Sequence, residues 1–271
     1  MRRTLVAVVA LLAASSCSLG PREAWAEQIH GAGDEARDLR TARVRMSVGV
    51  EVIETNIRQE PQPLIERLEG VADFRSRLAR MTSPGGAVVF YDDLVVYLPR
   101  SEAARQASPG GAWARFNFER EPRVDVDTND RRLAVGAPMI SPVLAVELLN
   151  GALTGSLERV GAMLYRARIS QDAAVREITD EDRREGILRL FETLGVRDDL
   201  IPAEVWVDGE GLVRRIRLTL RQQKDRVNAF RMRLDFEYSG YGTAAELRPP
   251  SDAVERGRFR DFVVEFIRET G

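Results

Sequence analysis

Phe230-Arg231-Met232-Arg233-Leu234-Asp235-Phe236-Glu237-Tyr238 alternates without a break between large apolar and charged side chains. Successive side chains of a strand point to opposite faces, so this order lines one face with apolar groups and the other with charge. A helix would scatter the same residues around its circumference. Arg43 to Val52 repeats the pattern, with Val44, Met46, Val48, Val50 and Val52 set against Arg43, Arg45, Ser47, Gly49 and Glu51. Met163, Tyr165, Ala167 and Ile169 alternate in the same way with Leu164, Arg166 and Arg168. Strands that are apolar on one side only belong to antiparallel sheets with one face on a core and one in water.

Working outward, Ala203 to Leu220 reads as a hairpin turning at Asp208-Gly209-Glu210-Gly211, where Asp-Gly is expected to supply the positive φ of a tight reversal. Gly70 to Met81 and Ala87 to Leu98 read as a second hairpin, joined at Ser83-Pro84-Gly85-Gly86. The same four residues recur as Ser108-Pro109-Gly110-Gly111, again read as a turn. Four helical patterns accompany the strands. Ser141 is a candidate N-cap before Pro142, opening a short helix that is apolar almost all round and ends at Asn150-Gly151. Thr179 to Leu194 turns Ile187, Leu190, Phe191 and Leu194 inward and stops at Gly195. A weaker pattern lies between Trp25 and Leu39. Asp252 and Glu255 form a possible capping box for a C-terminal helix over 252–270, with Phe259, Phe262 and Phe266 on one face. The polar stretch Glu119 to Arg132 reads as a long loop, not a domain linker. The expected fold is α+β: one strongly curved antiparallel sheet of about seven to eleven strands, a half-open barrel, with helices on its concave face.

The chain opens with Arg2-Arg3, an unbroken apolar run and the small residues Ala13-Ala14-Ser15-Ser16 before Cys17. That is the layout of a secretory leader, and the run is too short to span a bilayer. Two cleavage sites compete. Ala14-Ser15-Ser16-Cys17 resembles a bacterial lipobox, with Cys17 lipidated as the first mature residue. Ala24-Trp25-Ala26 is an A-x-A site for ordinary signal peptidase, which would release the protein. The expected division is leader and tether over 1–26 and a single domain over 27–271. Cys17 is the only cysteine, so no disulfide is available and stability must come from a core. The formal net charge of −2, with no basic tract, gives no sign of a nucleic-acid partner, and none is expected.

Catalytic constellations are absent. His30 is the only histidine, so neither a histidine-based triad nor a multi-histidine metal site can form. It reads as a solvated residue near the tether. Asp125-Val126-Asp127-Thr128-Asn129-Asp130 begins like a calcium loop, but Asp130 stands where glycine is needed and Gly136 where a bidentate glutamate is needed. Asp92-Asp93 suits a turn, and Glu181-Asp182 suits the first turn of a helix. The chain is expected to be no enzyme and to need no cofactor or metal. What remains is apolar surface: Val44, Met46, Val48, Val50, Phe230, Met232, Leu234 and Phe236 on strands, and Phe259, Phe262 and Phe266 on a helix. Either they fill a core, or a curved sheet leaves among them a cavity for acyl chains, gaining about 0.8 kcal/mol per buried CH₂.

Several stretches resemble, in the same order, the LppX/LprG family of actinobacterial lipoproteins within the wider LolA-like group. They are Tyr91-Asp92-Asp93-Leu94-Val95-Val96-Tyr97-Leu98 with the approach to Trp113, Ser141 to Leu149, and Pro202 to Asp208 with Gly211 to Arg215. The resemblance covers roughly Thr41 to Pro250 and includes no catalytic signature. It implies a half-open barrel whose pocket holds an acylated lipid or glycolipid, on a protein anchored to the outer face of the cell membrane. It also leaves room for an envelope protein partner, because some LolA-like domains act as sensors. The C-terminal helix, an extension beyond the family pattern, would plug the pocket or dock a partner.

Overall fold

Twelve segments pair edge to edge into one sheet. The computed structural model describes residues 21–54, 67–107, 110–120, 138–196, 198–223, 229–257, 259 and 262. The strands are β1 (Thr41–Glu54), β2 (Arg67–Asp73), β3 (Leu78–Thr82), β4 (Val88–Asp92), β5 (Val95–Pro99), β6 (Trp113–Asn117), β7 (Glu158–Arg159), β8 (Leu164–Ser170), β9 (Leu200–Val207), β10 (Val213–Gln223), β11 (Ala229–Ser239) and β12 (Ala253–Glu255). Their order is β12-β6-β5-β4-β3-β2-β1-β11-β10-β9-β8-β7, one strand more than the expected range. Neighbours are antiparallel except β12, which runs parallel to β6. The sheet is not closed into a barrel, and β12 and β7 form its edges.

The alternating segments set the register. Met46 lies between Leu68 and Phe236, and the row continues through Ile216, Val205 and Tyr165 across six strands. All six side chains are fully buried. The opposite face carries charge in register. Arg45 on β1 pairs with Glu69 on β2 at 2.9 Å and with Glu237 on β11 at 3.4 Å. One step along, Asp235 on β11 pairs with Arg217 on β10 at 3.0 Å, and Arg217 with Glu204 on β9 at 2.8 Å. Arg166 on β8 ends that row 3.5 Å from Glu204. Opposite charges directly across a strand pair stabilise that register over a slipped one.

Five α-helices fall among the described residues: α1 (Pro21–Asp38), α2 (Glu102–Ala107), α3 (Pro142–Glu147), α4 (Gln171–Arg176) and α5 (Glu181–Thr193). Helix α3 starts as its sequence predicts, with Ser141 accepting from the Leu144 N–H, and continues as a 3₁₀ turn over Leu148–Gly151. Helix α5 has Asp180 as N-cap, and Gly195 takes a φ of 71° after its end.

Helix α5 crosses the inner face of the sheet. At its start Arg183 bonds Asp93, between β4 and β5. Past its end the Leu194 carbonyl accepts from Gln222 of β10 at 2.9 Å. Strands β5 and β10 are six intervals apart, roughly 29 Å in a flat sheet at the usual strand spacing. A helix of 13 residues spans about 20 Å, and the Arg183 and Gln222 side chains supply the remaining reach, so α5 straps the inner face from the β4–β5 turn to β10.

Four expectations are corrected. The segments Gly70–Met81 and Ala87–Leu98 each split in two, giving a four-strand meander. The extra turns use positive φ at Arg77 (57°) and Asp93 (51°), where no glycine marks them. In the 208–211 turn the positive φ belongs to Gly211 (82°), not to the Asp-Gly pair. The Asp208 carboxylate accepts from the N–H groups of Glu210 and Leu212 at 2.9 and 3.0 Å. Residues 252–255 do not start a helix: Asp252 accepts from the Ala112 N–H at 3.0 Å and Glu255 pairs with Arg115 at 2.5 Å, which draws Ala253–Glu255 onto the sheet as β12. Phe259 and Phe262 are helical, and the rest of 258–271 lies outside the described residues. Met163 is 45% exposed and does not join the inward row of β8. The two Ser-Pro-Gly-Gly stretches also differ in use. Gly86 takes a φ of 86°, whereas a Cβ on Gly111 would sit 1.5 Å from the Asp252 carbonyl oxygen.

Burial works to raise the Asp208 pKa, but the N–H groups of Leu212 and Glu210 and the Arg214 guanidinium outweigh it and hold the pKa below its usual value. A carboxylate depressed in the fold adds stability above its unfolded pKa, and that stability is lost as pH falls through the folded value. Asp208→Asn is therefore expected to cost about 1 kcal/mol at neutral pH. In urea titrations the gap to the parent should shrink as the pH drops through the carboxylate range.

Candidate functional site

The apolar residues singled out in the sequence meet on the concave face. Val44, Met46 and Val48 of β1 and Met232, Leu234 and Phe236 of β11 are buried in one continuous core. Phe259 and Phe262 join that core from the C-terminal segment. Phe230 is buried where β11 begins, paired with Val52 and Gln222, and Val50 is half-buried. Phe266, Cys17 and the 125–136 stretch lie outside the described residues.

Helices cover this face at close range. The inward side of α1 is Ala26, Ile29, Ala32, Gly33 and Ala36, small enough for the helix to lie against α3. A Cβ on Gly33 would be 3.7 Å from the Val146 carbonyl oxygen. Two buried phenols hold the segment leading into α3: Tyr91 donates to the Pro138 carbonyl at 2.6 Å and Tyr238 to the Pro142 carbonyl at 2.8 Å. Burial raises both pKa values well above that of a free tyrosine, so both remain neutral donors. His30, expected to be solvated, is half-buried in α1, and its Nε2 is enclosed with no hydrogen-bond partner among the described residues.

One end of the interior is closed by charge. The Arg183 side chain is 5% exposed and grips Asp93 with both arms of its guanidinium, at 2.6 and 3.0 Å. It also donates to Glu147, the last residue of α3. Arg77 reaches the same Glu147 at 3.1 Å. Burial opposes the charge on Arg183, but the two carboxylates outweigh it and raise its pKa above the ordinary value. Glu119 and Asp92, on the fringe of the cluster, are shifted upward, chiefly by burial and secondly by Asp93. Beside the cluster, between α1, α4 and α5, is a cleft of about 380 Å³ bounded by Arg37, Asn150 and Glu177. Sequence reading missed this cluster. Its partners lie 36 and 90 residues from Arg183, and no local pattern joins them.

Aromatic rings close the region beside the open edge. Phe116 of β6 meets Phe118 at 4.9 Å, Phe259 at 5.3 Å and Phe262 at 5.7 Å between centroids. Helix α5 is fastened there by Arg189, which donates to the Phe118 carbonyl at 2.9 Å. The inner face of the sheet thus ends, next to the three-residue edge strand β12, at a stopper of rings packed edge-on and tilted. Among the described residues no group of three or more histidine, cysteine, aspartate or glutamate side chains is placed to hold a metal. No described helix is long and apolar enough to cross a membrane.

Ala24-Trp25-Ala26 falls inside α1, where Ala26 is buried and Trp25 packs half-buried against the core.

Comparison with solved structures aligns 84% of this chain with 97% of the crystal structure of LprF from Mycobacterium bovis, at 11% identity and a TM-score of 0.35. No family model and no curated protein matches the sequence.

Replacing Arg183 with methionine leaves Asp93 and Glu147 short of a countercharge. The expected loss is about 3–5 kcal/mol of folding stability, read from denaturant midpoints at neutral pH.

Proposed function

We propose that this protein is a non-enzymatic carrier that binds a lipid or acylated glycolipid by its acyl chains and carries or presents it outside the cytoplasm. The observation that carries this reading is the way the sheet ends. Twelve strands curl around an apolar interior without closing, and beside the short edge strand β12 the inner face is covered by rings from the C-terminal segment packed on Phe116 of β6. Strand pairing would have to be broken at the cost of backbone hydrogen bonds. Phenylalanine side chains can instead be exchanged for an acyl chain of the same polarity, with no polar group left unpaired. Each buried CH₂ of that chain contributes about 0.8 kcal/mol. The resemblance of the chain's segments to the LppX/LprG family supports the same reading.

The tether belongs to the proposal. Cleavage after Ala26 would remove Pro21 to Ala26 from α1, including the buried Ala26. Maturation at Cys17 would leave the whole helix intact, which favours an anchored protein on the outer face of the cell membrane. Mass spectrometry of the processed protein should find an acylated N-terminus at Cys17, and a mature chain starting at Glu27 would sink the anchor.

Native mass spectrometry of the protein purified from its own envelope is expected to show a co-purified acyl lipid. After delipidation, a fluorescent fatty acid should bind, and Phe262→Ala should bind it faster by removing part of the stopper. A chain that carries no lipid and takes up no fatty acid overturns the carrier reading. A stable protein partner recovered without lipid would point to an envelope sensor instead.

A further inference from the structure

One row of the outer face departs from the charge alternation of its neighbours. Arg168 on β8 is paired in register with Pro202 on β9, and Arg233 on β11 with Thr219 on β10. The pairing of Ala203 with Leu218 sets Pro202 beside Thr219. The row therefore has an arginine at each end and a low floor between them. Its ends are three strand intervals apart, roughly 14 Å at the backbone. An extended arginine arm from each end covers most of that distance, so both guanidinium groups can reach one anion over the floor. Neither group has a side-chain or carbonyl partner among the described residues. The adjoining row supplies Arg166 and Arg217, which share Glu204 between them, and Glu158 sits at the margin. Together these residues bound a groove of about 620 Å³, lined by four arginines and two glutamates, with Asp235 on Arg217 from behind the lining.

Two further features adjoin the groove. Val160 and Met163, 43% and 45% exposed, lie at the tip of the β7–β8 hairpin, whose base supplies Glu158 and Arg166 to the groove, with Met163 roughly 17 Å along the strand from Arg168. With Ile53 they are the most exposed large apolar side chains among the described residues. Ser156, on the groove wall, follows Gly155, whose carbonyl accepts from Arg22 near the start of α1 at 3.2 Å. Cys17 precedes Arg22 by five residues, a reach of at most about 17 Å.

We propose that this groove is a docking site for the phosphate headgroup of an anionic membrane lipid, with Arg168 and Arg233 forked on the phosphate and Val160 and Met163 against the acyl boundary. A guanidinium pairs with phosphate through two parallel hydrogen bonds, and paired apolar side chains favour a lipid surface over a free anion. Placement beside the tether rests on the anchoring reading above. Docking here would turn the outer face of β8–β11 to the bilayer and leave the open edge at β6 and β12 at the far end of the strand order.

The test is co-sedimentation of the full chain with phosphatidylcholine vesicles, with and without phosphatidylglycerol. A leader or lipid anchor acts on both vesicles, so the quantity read is the gain from phosphatidylglycerol. The double variant Arg168→Ala with Arg233→Ala should lose that gain, a drop of roughly 30-fold. Arg231→Ala, on the paired row with Glu51, should keep it. Thr219→Glu, which places a carboxylate on the floor without touching either arginine, should lose it as well. A double variant that keeps the gain overturns the proposal. Competition by inorganic phosphate as strong as that by soluble glycerophosphoglycerol also overturns it, by making the groove a free-anion site. Failure of the anchoring reading has a different signature: loss of binding to the phosphatidylcholine vesicles with the gain intact.

Discussion

The buried guanidinium of Arg183 is the constraint that the other parts share. It joins the β4–β5 turn through Asp93, the end of α3 through Glu147, and the first turn of α5. A charge with 5% of its side chain exposed is tolerated only with both carboxylates in place, so these three elements must arrive together or the desolvation cost goes uncompensated. Once α5 is fixed at this end, its far end meets β10 through Gln222 and Leu194, so one helix ties together strands six intervals apart in the sheet.

Much of this architecture is legible in the sequence because it depends on period-two alternation. β1, β8 and β11 read directly, and their register follows from apolar rows on one face and opposite charges on the other. The short helix after Ser141 reads from its cap and its proline. The turns at Arg77 and Asp93 escape because arginine and aspartate there adopt a conformation that usually signals glycine. Helix α1 reads weakly because its buried side is alanine and glycine apart from Ile29, which leaves little hydrophobic contrast yet permits close packing. Asp252 and Glu255 have the spacing of a helix cap, but their partners, Ala112 and Arg115, are 140 residues away.

The candidate site divides in the same way. Its apolar members follow from strand periodicity, and the structure gathers Val44, Met46, Val48, Met232, Leu234, Phe236, Phe259 and Phe262 in one core. Its polar closure does not follow, since Arg183, Asp93, Glu147 and Arg77 come from four separate segments. Apolar packing is degenerate and can be read from pattern alone. A buried ion cluster is specific to one tertiary arrangement and leaves no periodic trace.

The two edge strands have a consequence of their own. β7 has two residues and β12 has three, and β12 lies parallel to its neighbour. An open sheet of this width would ordinarily offer unpaired backbone donors and acceptors for another chain to extend. Edges this short give an incoming strand almost no length on which to pair. The sheet thereby stays unclosed without inviting strand-by-strand growth into fibres, and the opening in the fold does not become a route to self-association.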